Sequence, residues 1–556
     1  MQDTARTKKC NKCSKDFEIA KEDADFYKEI KIQEPTLCPD CRQQRRLLWR
    51  NERVLYKRKC DATGKEILSV YSQEKPFPVY NNDYWYSDKW DAMTYGRDFD
   101  FNRPFFEQFG ELINSVPQLS RSAVANQNSD YVNQCGWCKN CYLIFEADYD
   151  ENCMYCNNIY DSRFSMDMLM AVNCELCYEC IDCDDSYNLK FSQDCKNCSD
   201  SWFLKSCIGC RHCFGCVNMR DKQYYFLNEK CSKDKYEEKL KATKLKSYDD
   251  LQKARENFAN FVKKYPHKYL QGVQNEDSTG NYLSQTQRCE NCFDLNHCQD
   301  CRFVFNSRNM KKCYDITVFG SIGGAEYCYD SHEIGGGARN VFFGDQIWNG
   351  VHDIFYSKLC IDSSHDLFGC VGLKHKEYCI FNKQYSKEEY EALKKRIIEH
   401  MMKANEWGEF LPKEIVPYAY NETIALAWYP LTKEEALSQG YKWEDPDPRE
   451  YLPQKYIVPA DIKEVKDEII DEILACRDCG KNYKIIEAEL NFYRRQNLPI
   501  PLKCHDCRHK DRFKLRNPRH LYDRNCQKCG QEIKTTYDPD RPEPVCCEKC
   551  FVESLD

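Results

Sequence analysis

Apolar residues in this chain come in short runs broken by Asn, Asp and Ser, as in NCYLIF (140–145), DSYNLKF (185–191) and DSWFLK (200–205). Such runs predict short strands closed by turns, not helices. They recur at a fixed interval. Cys153, Cys174, Cys195 and Cys216 are each 21 residues apart, and so are Cys135, Cys156, Cys177 and Cys198. A period near 20 with small or apolar inward positions predicts a β-solenoid, in which each coil stacks on the next at strand spacing, about 4.8 Å. A string of zinc knuckles is the alternative. Helical patterning is confined to a few places. Residues 233–265 are rich in Lys and Glu with spaced Leu and Phe, and 461–475 lead as a helix into Cys476. Ser386 with Glu389 forms an S-x-x-E capping box, and Ser232 holds the matching cap position. No run approaches 18 apolar residues, so a membrane-spanning helix is not expected.

Two nested duplications organise the chain. Residue 10 laid on residue 476 aligns the two ends without a gap up to residue 85 on 551. Cys10, Cys13, Cys38 and Cys41 then fall on Cys476, Cys479, Cys504 and Cys507. Phe26-Tyr27 falls on Phe492-Tyr493, and Cys60 on Cys526. Arg42, Arg46, Arg50, Arg53 and Arg58 fall on Arg508, Arg512, Arg516, Arg519 and Arg524. The middle repeats at an offset of 154, which carries Cys135, Cys138, Cys174 and Cys216 onto Cys289, Cys292, Cys328 and Cys370.

Composition sharpens this picture at one point, the 39 cysteines. MQDTARTKKCNKCSKDFEIAK has no apolar signal core, so reduced thiols in a cytoplasmic setting are expected, and metal sites become the leading reading. Zn²⁺ takes four thiolates in a tetrahedron, and a C-x2-C turn offers two. Three such sets are expected to hold three zinc ions per chain: Cys10/Cys13 with Cys38/Cys41, Cys476/Cys479 with Cys504/Cys507, and Cys526/Cys529 with Cys547/Cys550. Cys546 lies off the frame. At the matching N-terminal positions stand Cys60, Thr63, Asn81 and Tyr84, so no fourth site is expected there; packing of Tyr84, Trp85 and Trp90 replaces it. The central cysteines read differently. Of sixteen between Cys135 and Cys231 only four recur in the second copy, as core filler tolerates and a ligand set does not. If extra metal exists there, Cys135/Cys138 and Cys289/Cys292 are its candidates.

Net charge is −8, yet residues 1–60 carry sixteen Lys+Arg against ten Asp+Glu. In RQQRRLLWRNERVLYKRK (42–59), Arg42, Arg46, Arg50 and Arg53 fall on one helix face; Arg508, Arg512, Arg516 and Arg519 repeat the row, with Pro518 ending the helix near Asn517. These eight arginines are candidates for phosphate contact, with Trp49, His509 and Phe513 for base stacking. The competing reading is that they brace the zinc knuckles against acidic neighbours.

Catalytic constellations are scarce. P-loop, G-x-G-x-x-G, G-x-S-x-G and H-E-x-x-H are all missing from the sequence. GSIGGAEY (320–327) and EIGGGARN (333–340) read as tight solenoid corners. His332, His352 and His365 lack a ligand pattern, and Asp148/Asp150 and Asp184-Asp185 read as turn aspartates before a polysaccharide-cleaving pair.

The terminal C-x2-C-x24-C-x2-C-R pattern, with F-Y between the knuckles, resembles the small treble-clef modules of bacterial proteins called probable zinc-ribbon modules. With KCDATGKEILSVY, DKWDAMTYGRDFDFNRPFFEQF and YNETIALAWYPLTKEEA added, nearly the whole chain resembles a family of cysteine-rich zinc-ribbon proteins of candidate-phyla bacteria. That resemblance implies zinc binding and a bacterial cytoplasm, and lends no activity.

The expected architecture is multidomain and mostly β. An N-terminal zinc module (1–91) and an aromatic-rich linker (92–130) precede solenoid copy 1 (131–230). A helical insertion (231–284), solenoid copy 2 (285–384) and a closing helix (385–401) follow. A connecting region (402–475), a C-terminal zinc module (476–525) and a second zinc ribbon (526–556) complete the chain. The expected function is a non-catalytic zinc-bound scaffold that contacts RNA or a ribonucleoprotein through its basic ends. An adaptor binding protein partners through the solenoid comes second, and a polysaccharide-active or redox enzyme third.

Overall fold

A computed structural model describes residues 5–319, 325–326, 329, 332–334, 345–347, 352–445 and 450–555. The centre is a pair of β-solenoids. In the first, parallel strands, closed by one antiparallel strand, stack in one 12-stranded sheet. Asn133 pairs with Phe145, Phe145 with Asn157, and Asn157 with Leu169. One coil therefore takes 12 residues, the separation seen again in the Asn128–Asn140 side-chain bond. The period of 21 read from the cysteines is not the coil. Its source is a shorter step: Asn140, Leu143, Glu146 and Tyr149 have φ of 53°, 50°, 52° and 61°, and this left-handed corner recurs at nearly every third residue from Ala125 to Leu227. The residue after each corner points inward. Twenty-one and 12 are both multiples of three, and the cysteines mark inward positions without marking coils.

Left-handed backbone costs an ordinary residue about 1–2 kcal/mol. Asn and Asp tolerate it and hold many corners, as at Asn152, Asn158, Asp161 and Asp167. Tyr149 and Phe164 do not tolerate it locally, so stacking on the coils above and below must hold them there. Inward positions hold mostly small groups, Cys and Ser, with a few aliphatic side chains among them. Cys135 donates its thiol hydrogen toward the carbonyls of Asn133 at 3.2 Å and Ile144 at 3.4 Å, and Ser165 donates to Arg163 O at 2.9 Å. Cys and Ser make the same bond, which explains why they interchange along the ladder. Cys138, Cys156, Cys177, Cys198 and Cys213 are buried in one core with Ile144, Met168 and Leu204.

The second solenoid follows the same rule, with Gly280 on Cys292 and Leu283 on Leu295. Beyond Thr317 its step lengthens: Thr317 pairs with His332 and His352 with His365. The glycine-rich segments 320–327 and 333–340 lie largely outside the described residues. Both solenoids close with a short antiparallel pair and a capped helix: Tyr225–Lys230 before Lys233–Ala242, and Cys379–Gln384 before Lys387–Lys403. Ser232 and Ser386 accept from Lys235 N and Glu389 N, as the capping pattern predicts.

Several expected boundaries move. Residues 92–130 are no linker; helix Phe105–Ser115 buries Phe105, Phe109, Leu112 and Ile113 against the second solenoid's Tyr356, Phe368 and Phe381. Solenoid pairing already begins at Ala123, and in the second copy at Gly272. The insertion holds two helices, Lys233–Ala242 and Tyr248–Val262. Where a helix over 461–475 was expected, only the 3₁₀ turns Ile462–Glu464 and Asp467–Ile470 form. Ile462, Val465 and Ile469 are all buried there, so packing on the C-terminal module overrides the helical pattern.

Candidate metal centres and the arginine clamps

Each zinc knuckle is built the same way. At the N-terminus, Cys10 N–H donates to Lys15 O at 2.9 Å and Ser14 N–H to Cys10 O at 3.0 Å, closing the turn that holds Cys10 and Cys13. Cys38 is the N-cap of helix Pro39–Leu47, which places Cys41 in its first turn. Cys504 caps His505–Phe513 and Cys547 caps Glu548–Val552 in the same way. A helix N-terminus favours the negative charge that thiolates bring.

Three four-sulfur groups result, each with all its sulfurs within 4.8 Å of one another: Cys10/Cys13/Cys38/Cys41, Cys476/Cys479/Cys504/Cys507 and Cys526/Cys529/Cys547/Cys550. Cys13 Sγ lies 3.7 Å from Cys38 Sγ, Cys479 Sγ 3.8 Å from Cys504 Sγ, and Cys529 Sγ 3.8 Å from Cys547 Sγ. A tetrahedron with Zn–S bonds of about 2.3 Å has edges of about 3.8 Å. The donor set therefore fits zinc at all three places. Although burial pushes the Cys526 thiol up, backbone N–H groups of Cys547, Cys529 and Lys528 pull it down to about 6. Cys476 is drawn to about 7 by the same cradle from Cys504, Cys479 and Asp478, against its own burial. At these two sites the backbone cradle therefore favours the thiolate form of one ligand.

The N-terminal ribbon keeps this frame without the ligands. Cys60 N–H donates to Lys65 O at 2.8 Å and Gly64 N–H to Cys60 O at 2.8 Å, while Asn81 N–H points at Cys60 Sγ at 3.3 Å. The C-terminal copy has Cys547 N–H on Cys526 Sγ at the same 3.3 Å. Asn81, standing where Cys547 stands, caps helix Asn82–Tyr86 through Tyr84 N–H. Tyr80 meets Tyr84 and Trp90 edge to face around it, and Trp85 lies tilted against Trp90.

Among the described residues no further cluster of this kind exists. Cys135/Cys138 and Cys289/Cys292 are consecutive inward positions of single coils, each hydrogen-bonded to carbonyls. His352 and His365 stack on each other as ladder neighbours, 4.7 Å apart. Asp150 is an inward, fully buried carboxyl held well above the usual range by that burial, and its Oδ1 accepts Ser162 N–H.

The arginine rows correct the expectation of phosphate contact. The first helix ends at Leu47, so Arg50 and Arg53 lie beyond it; the second ends at Phe513, before Pro518 can act. The side chains turn inward. Arg42 reaches Asp315 through Nε at 3.0 Å and Nη2 at 2.9 Å, and Arg46 reaches the same carboxylate at 3.2 Å, all of it sealed from water. Arg508 and Arg512 grip Asp167, each at 2.9 Å, and Arg512 also meets Glu179 at 3.2 Å. Arg516 bridges Asp182 at 3.0 Å and Asp294 at 2.6 Å, joining the two solenoids, and Arg519 adds 2.7 Å to Asp294. Arg50 pairs with Glu52 and Glu146, and Arg53 with Asp506. Trp49 is wholly buried, and Phe513 packs on Trp428. Asp315, Asp167, Asp182 and Asp294 are all left-handed corner residues. Sequence showed the arginines but not their acceptors, because turn aspartates look alike until the coils are stacked.

The duplicated modules dock crosswise. The N-terminal clef sits on the second solenoid, where Phe26 stacks on Tyr314 at 3.7 Å and Asp23 takes Arg302 at 3.0 Å. The C-terminal clef sits on the first, with Phe492 and Tyr493 against Tyr178 and Glu489 accepting Tyr155 Oη–H at 2.8 Å. The ribbons do the reverse. Val79–Tyr80 pairs with Gln118–Leu119 ahead of the first solenoid, and Val545–Cys546 with His267–Lys268 ahead of the second.

Fold and site together define a zinc-clipped β-solenoid protein with treble-clef ends. In agreement, residues 4–47 match the family described as a probable treble clef domain. No curated protein matches the chain. No helix among the described residues is long and apolar enough to cross a membrane.

Proposed function

We propose that the protein is a non-catalytic scaffold in which zinc-bound end modules lock two solenoids into one body that docks protein partners. The burial of Arg42, Arg46, Arg508, Arg512, Arg516 and Arg519 on solenoid aspartates carries this reading: charge that favoured RNA from sequence is engaged in internal clamping. Exposed aromatic corners on the first solenoid, Trp137 and Tyr149, support a protein-binding face. Elemental analysis tests the zinc, with three per chain and no iron expected. Protein purified at low salt tests the partner class: material absorbing at 260 nm that elutes steeply with salt would restore the RNA or ribonucleoprotein reading. Iron with visible colour would point to redox chemistry.

A further inference from the structure

The first coil of the first solenoid has no coil before it. Within the stack, each corner N–H donates to the coil before, as Asn140 does to Gln127 O and Leu143 to Asp130 O. Among the described residues, the equivalent N–H groups of Ala125, Asn128 and Tyr131 have no such acceptor. One edge carbonyl, Val132 O, is satisfied by the Arg121 guanidinium at 2.7 Å, a side chain standing in for a missing strand. This edge lines a cleft of roughly 580 Å³ against the N-terminal ribbon, whose Glu66, Leu68, Asn82 and Asp83 form the opposite wall. Glu66 and Asp83 are exposed, and neither has an ion-pair partner among the described residues. Beside Ala125 on the same corner ladder stand Trp137, 54% exposed, and Tyr149, 46% exposed, stacked at 5.1 Å. The next ring along, Tyr160, carries the Arg308 guanidinium over its face at 5.5 Å.

We propose, resting on the protein-docking reading above, that this open edge takes an extended, arginine-bearing segment of a partner polypeptide. The segment adds a strand to the first coil and lays a guanidinium against the Trp137–Tyr149 ridge, as Arg308 does at Tyr160. Unpaired N–H groups supply the backbone register, and Glu66 with Asp83 selects for positive charge.

Three labelled nine-residue strand-forming peptides test this against the zinc-replete full chain by fluorescence anisotropy: one with arginine at every third position, one with glutamate there, and the arginine peptide N-methylated on alternate amides. The arginine peptide should bind, and the other two should bind at least tenfold more weakly. Trp137→Asn, whose new residue suits a left-handed corner, and the pair Glu66→Gln/Asp83→Asn should each weaken it about tenfold with the circular dichroism unchanged. Equal binding of the N-methylated or glutamate peptide, or indifference to both variants, overturns the proposal. So does binding of single-stranded RNA at this ridge, read as competition lost in Trp137→Asn. A partner captured with undiminished affinity by Trp137→Asn sinks this site while leaving the scaffold reading intact.

Discussion

Aspartates at the coil corners decide more of this molecule than its cysteines do. Asp315 and Asp167 each neutralise two arginines that are out of reach of water. Removing one partner of a buried pair typically costs 3–5 kcal/mol because the other charge stays buried. Asp315→Asn and Asp167→Asn are each expected to destabilise by about that amount, read as the urea midpoint of the zinc-loaded protein. Replacing Arg42, Arg46 and Asp315 together by apolar residues should recover much of it. A smaller effect sits in the first knuckle. Ser14 holds φ of 60°, where Gly480 holds 72° and Gly530 76° in the sister knuckles. Ser14→Gly should therefore stabilise by about 0.5–1 kcal/mol.

At the scale of elements, the two ribbons show one frame with and without metal. The cradle around Cys60 already matches that around Cys526. Thr63→Cys with Asn81→Cys and Tyr84→Cys should raise the zinc content by one ion above the three four-sulfur groups present, as measured by elemental analysis. The ribbon–solenoid joint carries a pH dependence. Burial, reinforced by Lys205 and Arg541 and opposed by Glu543 and Asp194, lowers His267 to about 4 from an ordinary 6.5. The neutral ring is the folded form, so its contribution is whole above pH 6.5 and is lost as pH falls from 6.5 towards 4. That loss amounts to about 3 kcal/mol. His267→Gln should flatten the stability profile over this window relative to the wild type, a difference that cancels any acid release of zinc common to both.

The ligand cysteines, the shared end module and the solenoid class were legible in the sequence because each is a local pattern repeated in register. The helix over 461–475 and the linker over 92–130 were misread because both segments take their structure from what they pack on. Phe105 and Phe109 look like loop aromatics until the second solenoid's Phe381 is beside them. The 21-residue period misled for a related reason: it records inward positions, and nothing in the chain states how many three-residue sides close a coil.

For the whole molecule, crosswise docking makes the ends mutually dependent. Each solenoid carries a ribbon from one end of the chain and a clef from the other. A strong chelator should loosen both clefs, seen as new proteolytic cleavage around 10–41 and 476–507, while the parallel ladder keeps its far-ultraviolet signature. A solenoid that melts before its ends would overturn this order of stability.

What the chain itself determined is chemical and local: four thiols at tetrahedral spacing, three times, and short strand-like runs with cysteines recurring at a fixed interval. Only the stacked structure decided the 12-residue turn, the partner of each arginine and which end meets which solenoid. The reason is distance. A knuckle is closed by residues a few positions apart, whereas Arg516 meets Asp182 and Asp294 from hundreds of positions away, through charges that become strong only after folding has excluded water.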